Sequence, residues 1–578
     1  MMKVMHIRRW SVLYLLFGSL SSVHPLSSSV PRSSAIEGET LGKSDSIEFS
    51  SGAVEDVAKT KKKCVIIGAG WGGLSAAHAM SKSDEWDVTV IDSSPRPGGL
   101  VRDGFLTKNG TRVAEAGQHG FWDCYSNIFS LLYDDLKLNA DDIFAEYAEQ
   151  GQYSPRGLEA IWPVYRNQQQ LPTGLGQALY TRFLRLSPLE LATALPLVLA
   201  FSEFDDSDAA WEKYDNISFR DLCVKLGVSR RCYQEVFESM ILTGLFAPGK
   251  ECSAAAALGM AYFFVLRSQN AFDVRWCKGN VGETIFEPWC ELMKTQGVKF
   301  IPNTRVVGFN EKKGEISGIQ CINVESGDKN IFDSDSVVFA VGAKALSLFT
   351  KNSPELAKHA EFREFANLRG TSVLATRIYL DRHVKTEFSA NACWGFEEGV
   401  GMTMFDIRKL HGDNAQASIG APGSVLEVDF YYANSMLVLD DESIVTKVKS
   451  HLDKICGDEC KQAKVIDAAI VRIPEGVNWY YPGSYSKMPS VKSGAYSNVF
   501  FAGDIVKTRH GSWSQEKAFV TGVEAANTIL HRPNGSGIIP LPDDELHVSA
   551  GRNALNLFKT LLGGGKSENV PSFVDFLW

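Results

Sequence analysis

The run Gly68-Ala-Gly70-Trp71-Gly72-Gly73 stands between an apolar stretch, Cys64-Val-Ile-Ile, and a helix-forming one that reaches Met80. That order demands a buried strand, a turn tight enough to need glycine, and a helix whose first N–H groups are left without partners. Gly68 permits the turn, Gly70 lets the backbone approach a pyrophosphate, and Gly73 brings helix and strand together. Trp86-Asp-Val-Thr-Val-Ile-Asp92 reads as the second strand of a βαβ unit. Asp92 closes it 19 residues beyond Gly73, where a carboxylate can accept both hydroxyls of an adenosine ribose. An acid there argues against a 2′-phosphate. The pattern predicts an α/β chain with a Rossmann-type dinucleotide domain; a glycine-rich turn in an ordinary α/β fold is the plainer alternative.

Three further features favour FAD over NAD. Arg96-Pro-Gly98-Gly99 follows Asp92 closely and would let a second backbone segment lie along an extended dinucleotide. Val499-Phe-Phe-Ala-Gly503-Asp504 repeats the order strand, glycine, acid near the other end of the chain. Asp504 is placed to hold the ribityl or pyrophosphate end, and the helix from about Ser514 to Leu530 would aim its positive N-terminus at the flavin. No second G-x-G-x-x-G is present for a nicotinamide, so the electrons would come from the substrate and leave to oxygen or a quinone.

These segments resemble the flavin-containing amine oxidase superfamily, over roughly residues 62 to 532. Within it, Gly117-Gln-His119-Gly-Phe121-Trp122, Phe246-Ala-Pro248 with Ser253-Ala-Ala-Ala-Ala, and Gly279-Asn280 are similar to plant-type phytoene and ζ-carotene desaturases. Leu100 stands where amine oxidases tend to have arginine, which points to the desaturase side. Gly483-Ser484-Tyr485 is similar to the flavin-lining segment of polyamine oxidases. Monoamine oxidases have a flavin-linked cysteine there, so Ser484 implies a noncovalent cofactor. The run after Gly503-Asp504, Ile505 to Glu516, departs from the desaturases and leaves the substrate open. The resemblance implies a glutathione-reductase-like FAD domain interleaved with a mixed α+β substrate domain that contains a helical insertion. It implies cofactor contacts at Gly68, Gly70, Trp71, Gly72, Gly73, Asp92, Gly98, Gly99, Leu100, Glu115, Gly117, Gly503 and Asp504.

Removing a hydride from an allylic carbon needs a dry, aligned slot more than acid–base groups. No catalytic triad is expected. His119, His510 and Glu516 adjoin the flavin segments; each could act in chemistry, or serve structure alone. Three functions stay open: dehydrogenation of a lipophilic polyene or prenyl lipid, oxidation of a polar amine, and redox-neutral isomerisation of a carotenoid.

A chain of 578 residues exceeds one hydrophobic core. The expected division is FAD-domain segments at 61–170, 294–345 and 481–532, a helical substrate segment at 171–293, further substrate domain at 346–480, and a tail at 533–578. Lys3, Arg8 and Arg9 precede an apolar stretch from Trp10 to Leu20, and a serine-rich stretch runs from Ser22 to Ser34. Residues 1–34 therefore read as a signal plus transit-like leader to a plastid by the secretory route, with secretion or an endomembrane lumen as the alternative. Residues 35–60 read as a linker. The net charge of −9 excludes nucleic acid as a partner. Leu189 to Phe201, with Arg182 and Arg185 ahead of it, is too short to span a bilayer; it reads either as an interfacial segment or as a buried helix pair. Among eleven cysteines the nearest pair, Cys456 and Cys460, is read as two unpaired thiols, and no metal site is expected.

Overall fold

The computed structural model describes residues 61–412, 420–510 and 513–563. The expected leader, the linker and the last part of the tail lie outside them.

Five short strands form a parallel sheet in the order Lys299–Ile301, Trp86–Ile91, Lys62–Ile67, Ser336–Phe339, Val499–Phe501. They are almost unbroken apolar runs because both faces of a parallel sheet are covered; Ser336–Phe339 and Val499–Phe501 are buried throughout. Two helices, Trp71–Ser81 and Gln515–Ile529, pack together on this sheet. Ser75 Oγ donates to the Phe519 carbonyl at 2.7 Å. Gly522 makes that approach possible, since a Cβ there would lie 2.1 Å from the Gly72 carbonyl oxygen. An antiparallel meander, Thr304–Lys312, Glu315–Asn323 and Lys329–Asp333, is inserted in chain order between the third and fourth of these strands, Lys299–Ile301 and Ser336–Phe339. Its first turn is Lys313-Gly314, both residues left-handed, which matches the twist of a tight hairpin.

A second sheet of eight strands runs Val465–Asn478, Gly370–Leu380, Val425–Tyr431, Val400–Asp406, Ala390–Glu397, Gln150–Ser154, Gly157–Trp162, Arg182–Phe183. All pairs are antiparallel except Gln150–Ser154 with Ala390–Glu397. Residues 150–162, assigned from sequence to the dinucleotide half, thus belong to this sheet. The even side chains of Gly370–Leu380 (Leu374, Ile378, Leu380) share a core with Ile444, Val448 and Leu452 of the helix Asp441–Cys456. The odd ones point to the opposite face, towards the cavity described below.

Helices fill most of the span between 175 and 295. Ala254–Phe264 is buried along almost its whole length, and Ser253 caps it; its alanines admit close neighbours such as the helix Asp208–Asp215. The stretch 189–201 resolves into two helices, Pro188–Ala192 and Leu195–Glu203. Ser187 and Glu190 form a capping box at the first, and Pro196 sits in the first turn of the second, where it costs no hydrogen bond. Leu197 and Ala200 are buried, whereas Leu189, Leu195 and Val198 are exposed.

Candidate active site

A cavity of about 510 Å³ lies at the carboxyl ends of the parallel strands, walled on its other side by the eight-stranded sheet and the helices. Strand ends in an open α/β sheet leave such a crevice because the turns that follow them diverge. Here the turns converge on backbone. A Cβ at Gly72 would lie 2.8 Å from the Gly503 nitrogen, and one at Gly99 would lie 3.1 Å from the Gly70 Cα. Gly98 N donates to the Ala69 carbonyl at 2.7 Å. Gly503, at φ +120°, adopts a conformation side chains resist, and nothing lies within 4 Å of where its Cβ would be. Three remote stretches of chain therefore meet with no side chain between them and the cavity.

Asp92 sits at the rim, its Oδ2 accepting from Ala69 N and its Oδ1 from Ser94 N, each at 2.7 Å. The helix Trp71–Ser81 starts at Gly70 with no side-chain cap, which leaves its first turn to any ligand. Trp71 is fixed by Gln515, whose Oε1 accepts from the indole at 2.8 Å while its Nε2 donates to the Gly120 carbonyl. Asp504 lies at the far end. Its Oδ1 accepts from Asn478 at 2.6 Å and its carbonyl from the Tyr480 hydroxyl at 2.8 Å; burial raises its carboxyl, with Lys517 opposing.

Of the residues singled out in the sequence, Gly68, Gly70, Trp71, Gly72, Asp92, Gly98, Gly99, Leu100, Gly117, Gly503 and Asp504 all line the cavity. Gly73 sits beneath it: a Cβ there would lie 1.8 Å from the Gly68 carbonyl oxygen, so its work is helix–strand contact. Glu115 also stays behind the wall. Its carboxylate accepts from Val281 N at 2.9 Å and from Gln118 Nε2 at 2.7 Å, which makes it an anchor of the backbone at Val281. His119 does line the cavity, and burial holds its imidazole down to about 4, hence neutral. His510 is buried near Arg267 and Lys517 and stays off the cavity wall; burial, then those cations, push it to about 4. Glu516 is committed elsewhere, accepting from Asn127 N and Nδ2 at 2.8 Å and from Ile128 N at 3.0 Å to start the helix Ser126–Ser130.

Behind Gly117 lies a buried polar cluster. Arg377 Nε donates to Glu427 Oε2 at 2.5 Å, and its NH2 is 3.6 Å from Glu115 Oε1. Gln118 joins the pieces: its side chain donates to Glu115, its amide N donates to Asp429 Oδ2 at 3.1 Å, and its Oε1 faces His411 Nε2 at 3.2 Å. Sheet register explains the assembly, since Arg377 pairs with Glu427 and Ala375 with Asp429.

Residues 71–530 match the family model described as flavin containing amine oxidoreductase. The chain belongs to this family. It is 24% identical over 496 residues to the carotenoid phi-ring synthase of Streptomyces griseus, covering 81% of this chain and 87% of that one. It is 22% identical to the zeta-carotene desaturase, chloroplastic/chromoplastic, of Zea mays, covering 77% and 80%. Among solved structures it resembles putrescine oxidase bound to putrescine, with a TM-score of 0.56 at 16% identity over 82% of this chain and 99% of that one. Cyclohexylamine oxidase from Brevibacterium oxydans has a TM-score of 0.56 at 13% identity, over 82% and 99%. As a member of this family the chain is an FAD-dependent oxidoreductase.

For this flavoenzyme, one segment read from the sequence as flavin-lining lies elsewhere. Gly483-Ser484-Tyr485 does not border the cavity. Gly483 N and Tyr485 N are tied to Asp215, and the Tyr485 ring stacks on Trp211 at 4.8 Å, so Ser484 carries no information on how a flavin is attached. The Arg377 cluster has one signal in the sequence: Glu427-Val-Asp429-Phe-Tyr431 shows polar groups at every second position of a buried strand. That alternation is the signal of a strand with a functional face.

Proposed function

We propose that this flavoenzyme holds FAD noncovalently and dehydrogenates a lipophilic polyene or prenyl lipid, passing the electrons to oxygen or a quinone. The turn at Gly68–Gly73 and the helix behind it would take the pyrophosphate, Asp92 the adenosine ribose, and Gly98, Gly99 and Leu100 the flank of the dinucleotide. Gly117, Gly503 and Asp504 would border the flavin end. The bare backbone crossing at Gly70, Gly72, Gly99 and Gly503 fits such a group, because any Cβ there would collide or intrude. Among the described residues no cysteine lines the cavity, which supports attachment without a thioether. FAD supplies the two-electron acceptance; the chain binds, aligns and excludes water.

The observation that carries the substrate reading is the remaining wall. Met240, Phe246, Met260, Phe264 and Phe272 line it; among the described residues no lysine or arginine does, and the acids are Asp92, Asp429 and Asp504. Such a slot favours an uncharged, elongated hydrocarbon by apolar burial. The relatives named for carotenoid chemistry support it. The test is anaerobic mixing of the purified flavoprotein with carotenes, prenyl quinones and polyamines while the oxidised flavin band is followed. Bleaching by a polyene or prenyl lipid alone is the expected result; bleaching by an amine alone overturns it. The amine reading has one observation in its favour, the Asp429 carboxyl in the wall.

Leu184, Leu189, Leu195 and Val198, exposed close together in sequence, support entry of the lipid from a membrane surface. No helix of the described residues is long and apolar enough to cross a membrane. The composition of residues 1–34 and the chloroplastic names of the plant relatives support work in a plastid.

A further inference from the structure

Three carboxyl groups and one guanidinium are sealed together against the cavity. Glu115, Glu427, Asp429 and Arg377 are each at most 2% exposed. Asp429 is the one of the four that lines the cavity. It packs on Gly117, where a Cβ would come 3.1 Å from its Oδ2. Its Oδ2 accepts from Gln118 N, whereas its Oδ1 is buried with no hydrogen-bond partner. Glu427 Oε1 and the Arg377 NH2 are also without hydrogen bonds.

Charge counting constrains this arrangement before any titration is considered. One guanidinium balances one carboxylate. Two more carboxylates, away from water and beside the first, cost far more as anions than as acids. Among the described residues, nothing else facing Asp429 supplies a positive charge. Glu427 and Tyr431 come from its own strand, Arg377 from the neighbouring one, and Glu115, Gln118 and His119 from the segment 115–119. His411, beyond Gln118, is pushed to about 3 by burial and by Arg377, and stays neutral. Burial raises Glu115 to about 8 against the pull of Arg377, with Glu427 adding to the rise. Burial, then Glu427, also raise Asp429 well above the ordinary range.

We propose that Asp429 is a proton-holding residue of the flavin site: it presents a neutral carboxyl to the cavity, and binds its proton more tightly once electrons reach the flavin. This rests on the flavin reading above. Electrons arriving on the cofactor add negative charge at the wall, and a carboxylate facing that charge gains affinity for a proton. Where the carboxyl has begun to ionise in the oxidised enzyme, reduction therefore draws one further proton onto Asp429 Oδ1. The wall never sets two negative charges face to face. A neutral Asp429 also gives no hold to a cationic amine.

The test is an anaerobic redox titration of the bound flavin against a reference dye, from neutral to alkaline pH, in the wild type, Asp429→Asn and Glu115→Gln. Asn keeps the size and the oxygen that Gln118 N bonds, and cannot ionise. In the wild type the midpoint potential should fall more steeply with pH at the alkaline end. Asp429→Asn should lose that steep segment with its flavin retained. Glu115→Gln should move it to lower pH, because removing a neighbouring acid makes Asp429 ionise more readily. Parallel curves for the wild type and Asp429→Asn, both carrying flavin, overturn the proposal and leave the cofactor reading intact. A wild type without flavin overturns the cofactor reading, and the proposal with it. Should Asp429→Asn fail to fold, an unshifted curve in Glu115→Gln overturns the proposal by itself.

Discussion

Gly72 shows how much a missing methyl group can decide. Its neighbour across the crevice, the Gly503 nitrogen, is backbone and has no rotamer in which to retreat. Gly72→Ala must open the crossing, at about 1–3 kcal/mol for overpacking, and each 1.4 kcal/mol is about tenfold in affinity. The dissociation constant for added FAD should rise about tenfold or more, while far-ultraviolet dichroism stays that of the wild type. Glu516 makes the opposite kind of contribution. Glu516→Ala strands the N–H groups of Asn127 and Ile128 in a buried setting. Two unsatisfied donors cost about 2–6 kcal/mol, which calorimetry should register as a lower Tm with the flavin spectrum unchanged. Equal melting would show that the carboxylate does no capping.

At the scale of elements, the in-register strands Gly370–Leu380 and Val425–Tyr431 hold the buried ions in place, so the cluster's behaviour with pH belongs to the sheet. Arg377→Met leaves Glu427 without its cation and should cost about 3–5 kcal/mol, read from urea unfolding. Glu115 has its ordinary value of 4.5 in the unfolded chain and about 8 when folded. Between those two, the folded protein holds a proton that the unfolded chain has released. Stability is therefore greatest at the acid end of this window and falls as pH rises to about 8. Glu115→Gln should flatten that fall in denaturant titrations at several pH values; an unchanged slope would assign it to other groups.

The elements legible in the sequence are those whose cause is local. Cys64–Ile67, Trp86–Ile91 and Val499–Phe501 announce themselves as apolar runs stopped by glycine or acid, and Lys313-Gly314 marks its own hairpin. What stayed illegible depends on pairing at a distance. Nothing near Gln150 says that it will lie beside Ala390–Glu397, and nothing near Arg377 says that Glu427 will face it. Ser484 is the same case: a local likeness carries no place in space, and the partners of its segment, Trp211 and Asp215, lie some 270 residues earlier.

For the whole molecule, the exposed leucines at 184, 189 and 195 set an expectation about surfaces. Leu189→Ser with Leu195→Ser should reduce cosedimentation with galactolipid vesicles several-fold, at unchanged flavin content and melting. Equal partitioning of variant and parent would remove that surface from the account. The crossing of remote glycines has a temporal meaning as well. A ribosome delivers Gly70 early and Gly503 more than 400 residues later, so an emerging or membrane-threading chain offers only one jaw of the clamp. On the proposed cofactor reading, loading would then be a last event, after the final strand and helix have docked. A chain cut short before that point would, on the same reading, leave its synthesis as an empty protein, without colour and without the stability that a bound ligand confers.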